Sequence, residues 1–89
     1  MHFEWDRSKA ETNRRKHKVT FDEAVSVFYD ALSATFPDPY SSRTEERLVT
    51  IGQSSRGRLL VVVHAEQDEI IRIISARLAT AHERKRHES

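Results

Sequence analysis

The sequence predicts an α+β fold in which two helices pack as one layer on a small antiparallel sheet. Three observations carry it. Apolar residues recur with helical period at Phe21, Ala24, Val25, Phe28 and Leu32. Beyond Glu45 the pattern changes to aliphatic and β-branched runs at 47–53, 59–64 and 70–76. The connections between those runs are too short for a crossover helix, which favours a meander. A chain of 89 residues supports one domain, taken as 1–89, and no second core.

Phe3 to Trp5 can form a short first strand. Asp6 is a good N-cap for a helix over about 7–16, although Ser8-Lys9-Ala10-Glu11 also fits a capping box and leaves the start open by two residues. This helix buries Ala10 and little else, so it lies on the surface. Thr20-Phe21-Asp22-Glu23 is a clearer capping box, and the apolar stripe after it extends the second helix toward Leu32. Pro37 and Pro39 end any helix and mark an irregular loop through about Thr44. Gln53 to Gly57 reads as a turn. Leu59-Leu60-Val61-Val62-Val63 is continuously apolar, as a strand buried on both faces is. Residues 65–69 form a second polar connection. Thr80-Ala81-His82-Glu83 is a third capping box and starts a short terminal helix that should fray. The expected order is β-α-α-β-β-β-α.

Composition narrows the function. With no cysteine, disulfides and thiolate metal sites are excluded. The longest apolar run, 59–63, is too short to span a membrane, and the first residues show no basic and apolar leader. A soluble cytoplasmic chain without a membrane partner is expected. The net charge is only +1, but it is segregated. Residues 7–18 carry Arg7, Lys9, Arg14, Arg15, Lys16 and Lys18 against Glu11, while 19–46 carry six acids against Arg43. Further basic blocks fall at 47–63 and 72–89. Such blocks can converge on a phosphate-binding face, or they can simply solvate helix surfaces.

Phosphate-binding glycine loops and the nucleophile elbow are absent. His2, His17, His64, His82 and His87 form no metal-ligand spacing, so neither a metal nor a cofactor is expected. Metal-free RNA cleavage remains open, because the 2′-OH of RNA supplies the nucleophile. The protein then needs a general base, a general acid and cations around the crowded phosphorus. Histidine suits the first two tasks and arginine the third. His17, among Arg14, Arg15, Lys16 and Lys18, is the leading acid–base candidate; a solvated histidine closing a surface helix is the competing reading. Arg72 interrupts four isoleucines in a strand, so its head must be paired, solvated or bound to a ligand. Arg77 is five residues on and falls on the opposite face unless the strand ends or bulges between them. The capping box accounts for Glu83 without catalysis. Glu45 and Glu46 could pair with nearby arginines.

Two signatures then carry a family resemblance. One is Phe3-x-Trp5-Asp6, Lys9-Ala10, Asn13, Lys16-His17, Val19-Thr20-Phe21-x-x-Ala24 and Val27-Phe28. The other is Glu46-Arg47, Ile51-Gly52, Gly57-Arg58-Leu59-Leu60, Arg72-Ile73-Ile74-Ser75-Ala76-Arg77 and Glu83-Arg84. Together they resemble the BrnT toxins of bacterial type II toxin–antitoxin systems, over about residues 3–84. The resemblance implies a RelE-like ribonuclease that cuts RNA and inhibits translation. It also implies neutralisation by a BrnA-like antitoxin that dimerises, carries a ribbon-helix-helix DNA-binding part and brings the pair to operator DNA. By position it points to His17, Arg72 and Arg77 as catalytic, with Lys16, Arg47 and Arg58 as supporting RNA-binding cations. The family usually has glycine after Lys-His, where this chain has Lys18. A non-catalytic RNA- or ribosome-binding module and an antitoxin-pairing subunit are the alternatives.

Overall fold

The computed structural model describes residues 1–40 and 46–88. Its elements are β1 (His2–Trp5), α1 (Arg7–His17), α2 (Phe21–Val27), β2 (Ala34–Pro37), β3 (Leu48–Gln53), β4 (Leu59–Gln67), β5 (Ile70–Leu78) and α3 (Ala81–Glu88). The five strands form one sheet in the order β1-β5-β4-β3-β2. The α+β class and the places where the first two helices begin follow the sequence expectation. Two features do not. The sheet is mixed, because β1 runs parallel to β5. A fifth strand, β2, occupies part of the expected loop and pairs antiparallel with β3. It is short, wholly exposed and ends in Pro37, which an edge strand tolerates because its outer N–H needs no partner. The rest of that loop from Ser41, and Glu45, lie outside the described residues.

The caps explain where the helices begin. Asp6 Oδ1 accepts the Lys9 N–H at 3.0 Å, so Asp6 rather than Ser8 starts α1. Thr20 Oγ1 accepts the Glu23 N–H at 3.1 Å and starts α2. α2 is shorter than its apolar stripe. From Phe28 to Asp30 the backbone tightens into i→i+3 bonds. Asp30 then accepts the N–H groups of Leu32 at 3.0 Å and Gln53 at 2.7 Å, which pulls the chain out of the helix toward β3. Leu32 ends up 80% exposed.

The helices bury one face of the sheet. Val19, Phe21, Ala24 and Val27 pack with Leu60, Val62, Ile71, Ile73 and Ala76. On the opposite face Val49, Ile51, Leu59 and Val61 form a smaller cluster with Val63 and Ala79 against it. β4 is thus buried on both faces, as its unbroken apolar run requires. The β4–β5 hairpin closes through Asp68 and Glu69, both at positive φ (51° and 68°), the backbone that a two-residue turn demands.

Candidate active site

The site begins with the register of β5. Arg72 stands opposite Ala65 of β4, and Arg77 stands opposite Val61. Ala65 and Val61 are four residues apart and share a face. Five residues of β5 therefore span four of β4, and the ladder absorbs the extra one in a bulge at Val63/His64. Ser75 pairs with Val63 and Ile73 with His64, so Ile74 is the unmatched residue. The bulge places Arg72 and Arg77 together on the face away from α1 and α2, which regular pleating forbids.

Continuing the alternation of β3 back by one residue places Arg47 on that face too, in the same cross-sheet row as Ala65 and Arg72. The pairing does continue there, since Asp38 N–H bonds the Arg47 carbonyl at 2.9 Å. Two strand spacings separate Arg47 from Arg72, about 10 Å between Cα atoms, and Arg77 lies roughly 13 Å further along the strands. Val49, Ile51 and Val61 are buried on that face between them, with Val63 packed against the cluster. Glu4 on β1 is in register with Arg72.

Arg77 is already engaged. Its two terminal nitrogens meet both Glu83 oxygens, at 2.7 and 2.8 Å. This fork-to-fork pair holds the Glu83 carboxyl down at about 2 and raises the Arg77 guanidinium. Glu83 also completes its capping box: Thr80 N–H reaches Oε1 at 2.9 Å, and Thr80 Oγ1 accepts Glu83 N–H at 3.1 Å. One carboxylate thus starts α3 and ties it to the arginine face.

Lys16 and His17 lie on the other side of the sheet, in the last turn of α1. Lys16 is exposed and His17 half-buried. Lys18 closes the helix in the left-handed conformation (φ 59°, ψ 31°), with its N–H on the Arg14 carbonyl at 2.9 Å. The turn therefore keeps the geometry that glycine would give it, at a cost of about 1 kcal/mol for a residue with a Cβ. Arg58, just before β4, donates to the Lys18 carbonyl at 3.1 Å. The end of α1 thus meets the edge of the sheet where β4 begins and β5 ends. His17 and Arg77 share that edge from opposite faces. Arg47 and Arg72 lie at the far end of the open face, so the six expected residues form two groups.

Sequence reasoning missed three buried polar residues. Asn13 Nδ2 donates to the carbonyls of Val19 (3.0 Å) and Ala76 (2.8 Å), and its Oδ1 accepts Ala76 N–H at 3.1 Å. It locks the second half of α1 to β5 and so determines where His17 stands. An asparagine inside an otherwise charged helix was the available signal. Glu23 is buried and bound by Arg58 through both oxygens and by Ser54 Oγ at 2.7 Å, which holds its carboxyl below the usual range. Because its side chain serves those partners, only half of the expected Thr20 capping box forms. His64 is wholly buried. Its Nε2 lies 2.7 Å from Thr50 Oγ1, its ring packs edge-on to Phe28, and burial lowers its pKa to about 4. Among the described residues, no cluster of three histidines or carboxylates is placed to hold a metal. Among those residues no helix is long and apolar enough to cross a membrane.

No curated protein matches the sequence. The crystal structure of the Brucella abortus ribonuclease toxin BrnT matches with a TM-score of 0.70 and 25% identity, covering 90% of this chain and 97% of that one. A family model described as "Ribonuclease toxin, BrnT, of type II toxin-antitoxin system" matches residues 5–83, from Trp5 at the end of β1 to the Glu83 that holds Arg77. With the family model spanning residues 5–83 and the fold shared over 90% of the chain, the chain belongs to the BrnT family of type II toxin–antitoxin ribonuclease toxins.

Proposed function

We propose that this protein is a metal-independent endoribonuclease that arrests translation by cutting RNA, with a RelE-like arrangement of its active face. The observation that carries it is the bulge in β5, which sets Arg72 and Arg77 on the face away from α1 and α2 with Arg47 in line. An RNA backbone runs along that face from Arg47 and Arg72 toward Arg77, and Lys16 adds a cation at the edge. The scissile phosphate lies at the edge shared by Arg77 and His17. There a base takes the 2′-OH proton as the 2′-oxygen attacks phosphorus. The 5′-oxygen leaves with a proton from an acid, and a 2′,3′-cyclic phosphate remains. His17 serves as one of the two proton-transfer groups. Arg77, at that edge, neutralises the charge that builds on the phosphorus oxygens, while Arg72 grips the RNA backbone further along the face and so orients the scissile phosphate.

The partner is a BrnA-like antitoxin that binds as a dimer, carries a ribbon-helix-helix part and supplies the contact to operator DNA. The purified protein should cleave RNA in EDTA. His17→Ala and Arg72→Ala should each slow it by about 100-fold or more. Wild-type rates in both variants reject the site. One observation favours a second reading, a non-catalytic RNA-binding or antitoxin-pairing module: His17 and Arg72 lie on opposite faces. Salt-sensitive RNA binding with no cleavage by the wild-type protein selects it.

A further inference from the structure

Arg58 is bound differently from the arginines of the open face. Its Nε donates to Glu23 Oε2 at 2.9 Å, and its Nη2 donates both to Glu23 Oε1 and to the Lys18 carbonyl, the latter at 3.1 Å. Glu23 is fixed in turn. Its side chain is 4% exposed and accepts Ser54 Oγ at 2.7 Å, and its backbone N–H is capped by Thr20. One guanidinium therefore joins the first turn of α2, the β3–β4 turn and the end of α1. A phosphate approaching Arg58 has to compete with a buried carboxylate already gripped at two points.

What Arg58 holds is the one strained residue next to His17. Lys18 sits at positive φ without being glycine. Both of its backbone polar groups are tied, the N–H to Arg14 and the carbonyl to Arg58. We propose that Arg58 is a positioning residue: anchored by Glu23, it grips the Lys18 carbonyl and fixes the left-handed turn that sets His17 at the end of α1. This rests on the reading of His17 as an acid–base group. It makes the Glu23–Arg58 pair this chain's means of accepting lysine at a position suited to glycine.

The test uses Arg58→Lys, which keeps a cation beside Glu23 but loses the planar fork that reaches two acceptors at once. Cleavage of an end-labelled RNA of mixed sequence is followed in EDTA, with amide hydrogen exchange at Lys18 as a second readout. Arg58→Lys should lower kcat by about 10-fold or more through misplacement of His17, with KM and its salt dependence close to wild type. Lys18 exchange should accelerate. Lys18→Gly, which adopts the turn without help, should leave the wild-type rate unchanged and restore both readouts in the Arg58→Lys background. A raised KM with unchanged kcat, or no rescue by glycine, overturns the proposal and returns Arg58 to the RNA-binding set. An inert wild-type protein retires the ribonuclease reading instead. Exchange then decides alone: protection lost and restored by glycine sustains the hold on the turn, and unchanged protection overturns it. Should Arg58→Lys fail to fold, Glu23→Gln, which weakens the anchor without removing the arginine, is read the same way.

Discussion

Asn13 shows how one side chain sets the geometry of a site it never touches. It satisfies the carbonyls of two separate segments and one strand amide, all away from water. Asn13→Ala leaves the Ala76 N–H and carbonyl buried without this partner, so it should cost about 2 kcal/mol or more and lower Tm by roughly 10 °C in a scanning melt. His64 is the opposite case, a buried histidine with no access to RNA. Burial holds it near 4 against an ordinary 6.5. The unfolded chain takes up a proton below pH 6.5 that the folded chain refuses until about pH 4. Stability should therefore fall as pH drops through that window, by up to about 3 kcal/mol, and be regained as pH rises. Urea titrations across this range check it: His64→Gln should flatten the slope, and an unchanged slope refutes the assignment. The asparagine stood out in a charged helix, but neither residue's partners were legible from sequence, because a polar residue in a helix or strand does not say which face is buried.

At the scale of elements, the caps and periods did most of the work. Asp6 and Thr20 start the first two helices as their side-chain chemistry requires, and Thr80 starts the third. The misreadings have definite causes. Leu32 continued a helical stripe, but the Asp30 carboxylate found a better partner in a strand amide across the molecule. β2 is four residues long, wholly exposed and ends in proline, and its pairing with β3 alone makes it a strand. The Asp68-Glu69 turn places two acidic residues at positive φ, where Asn-Gly fits with less strain. The double substitution Asp68→Asn, Glu69→Gly should raise unfolding stability by about 1 kcal/mol without changing the register. A denaturant midpoint that falls instead shows that the acidic side chains contribute more than the backbone strain costs.

For the whole molecule, the small net charge of +1 hides a directional field. Arg47, Arg72 and Arg77 gather on one face while Lys16 and His17 remain on the other side of the same edge. If RNA lies along the open face, each arginine that meets a phosphate releases a counterion. Arg47→Ala and Arg72→Ala should each reduce the slope of log affinity against log salt by about 0.7, while Arg15→Ala on exposed α1 should not. Equal effects from all three place the RNA elsewhere. The sequence by itself determined the α+β class, the starts of the second and third helices, the doubly buried β4 and the motifs that mark the family. These depend on neighbours within a few residues and on the alternation of apolar side chains. Only the tertiary structure decided which charges meet. Arg72 and Arg77 share a face because β4 obliges β5 to bulge, Arg58 turns inward because Glu23 lies 35 residues away in sequence and adjacent in space, and His17 takes its place from Asn13 and Lys18. A one-residue shift in register reverses the face of every side chain beyond it, and no local pattern encodes that shift.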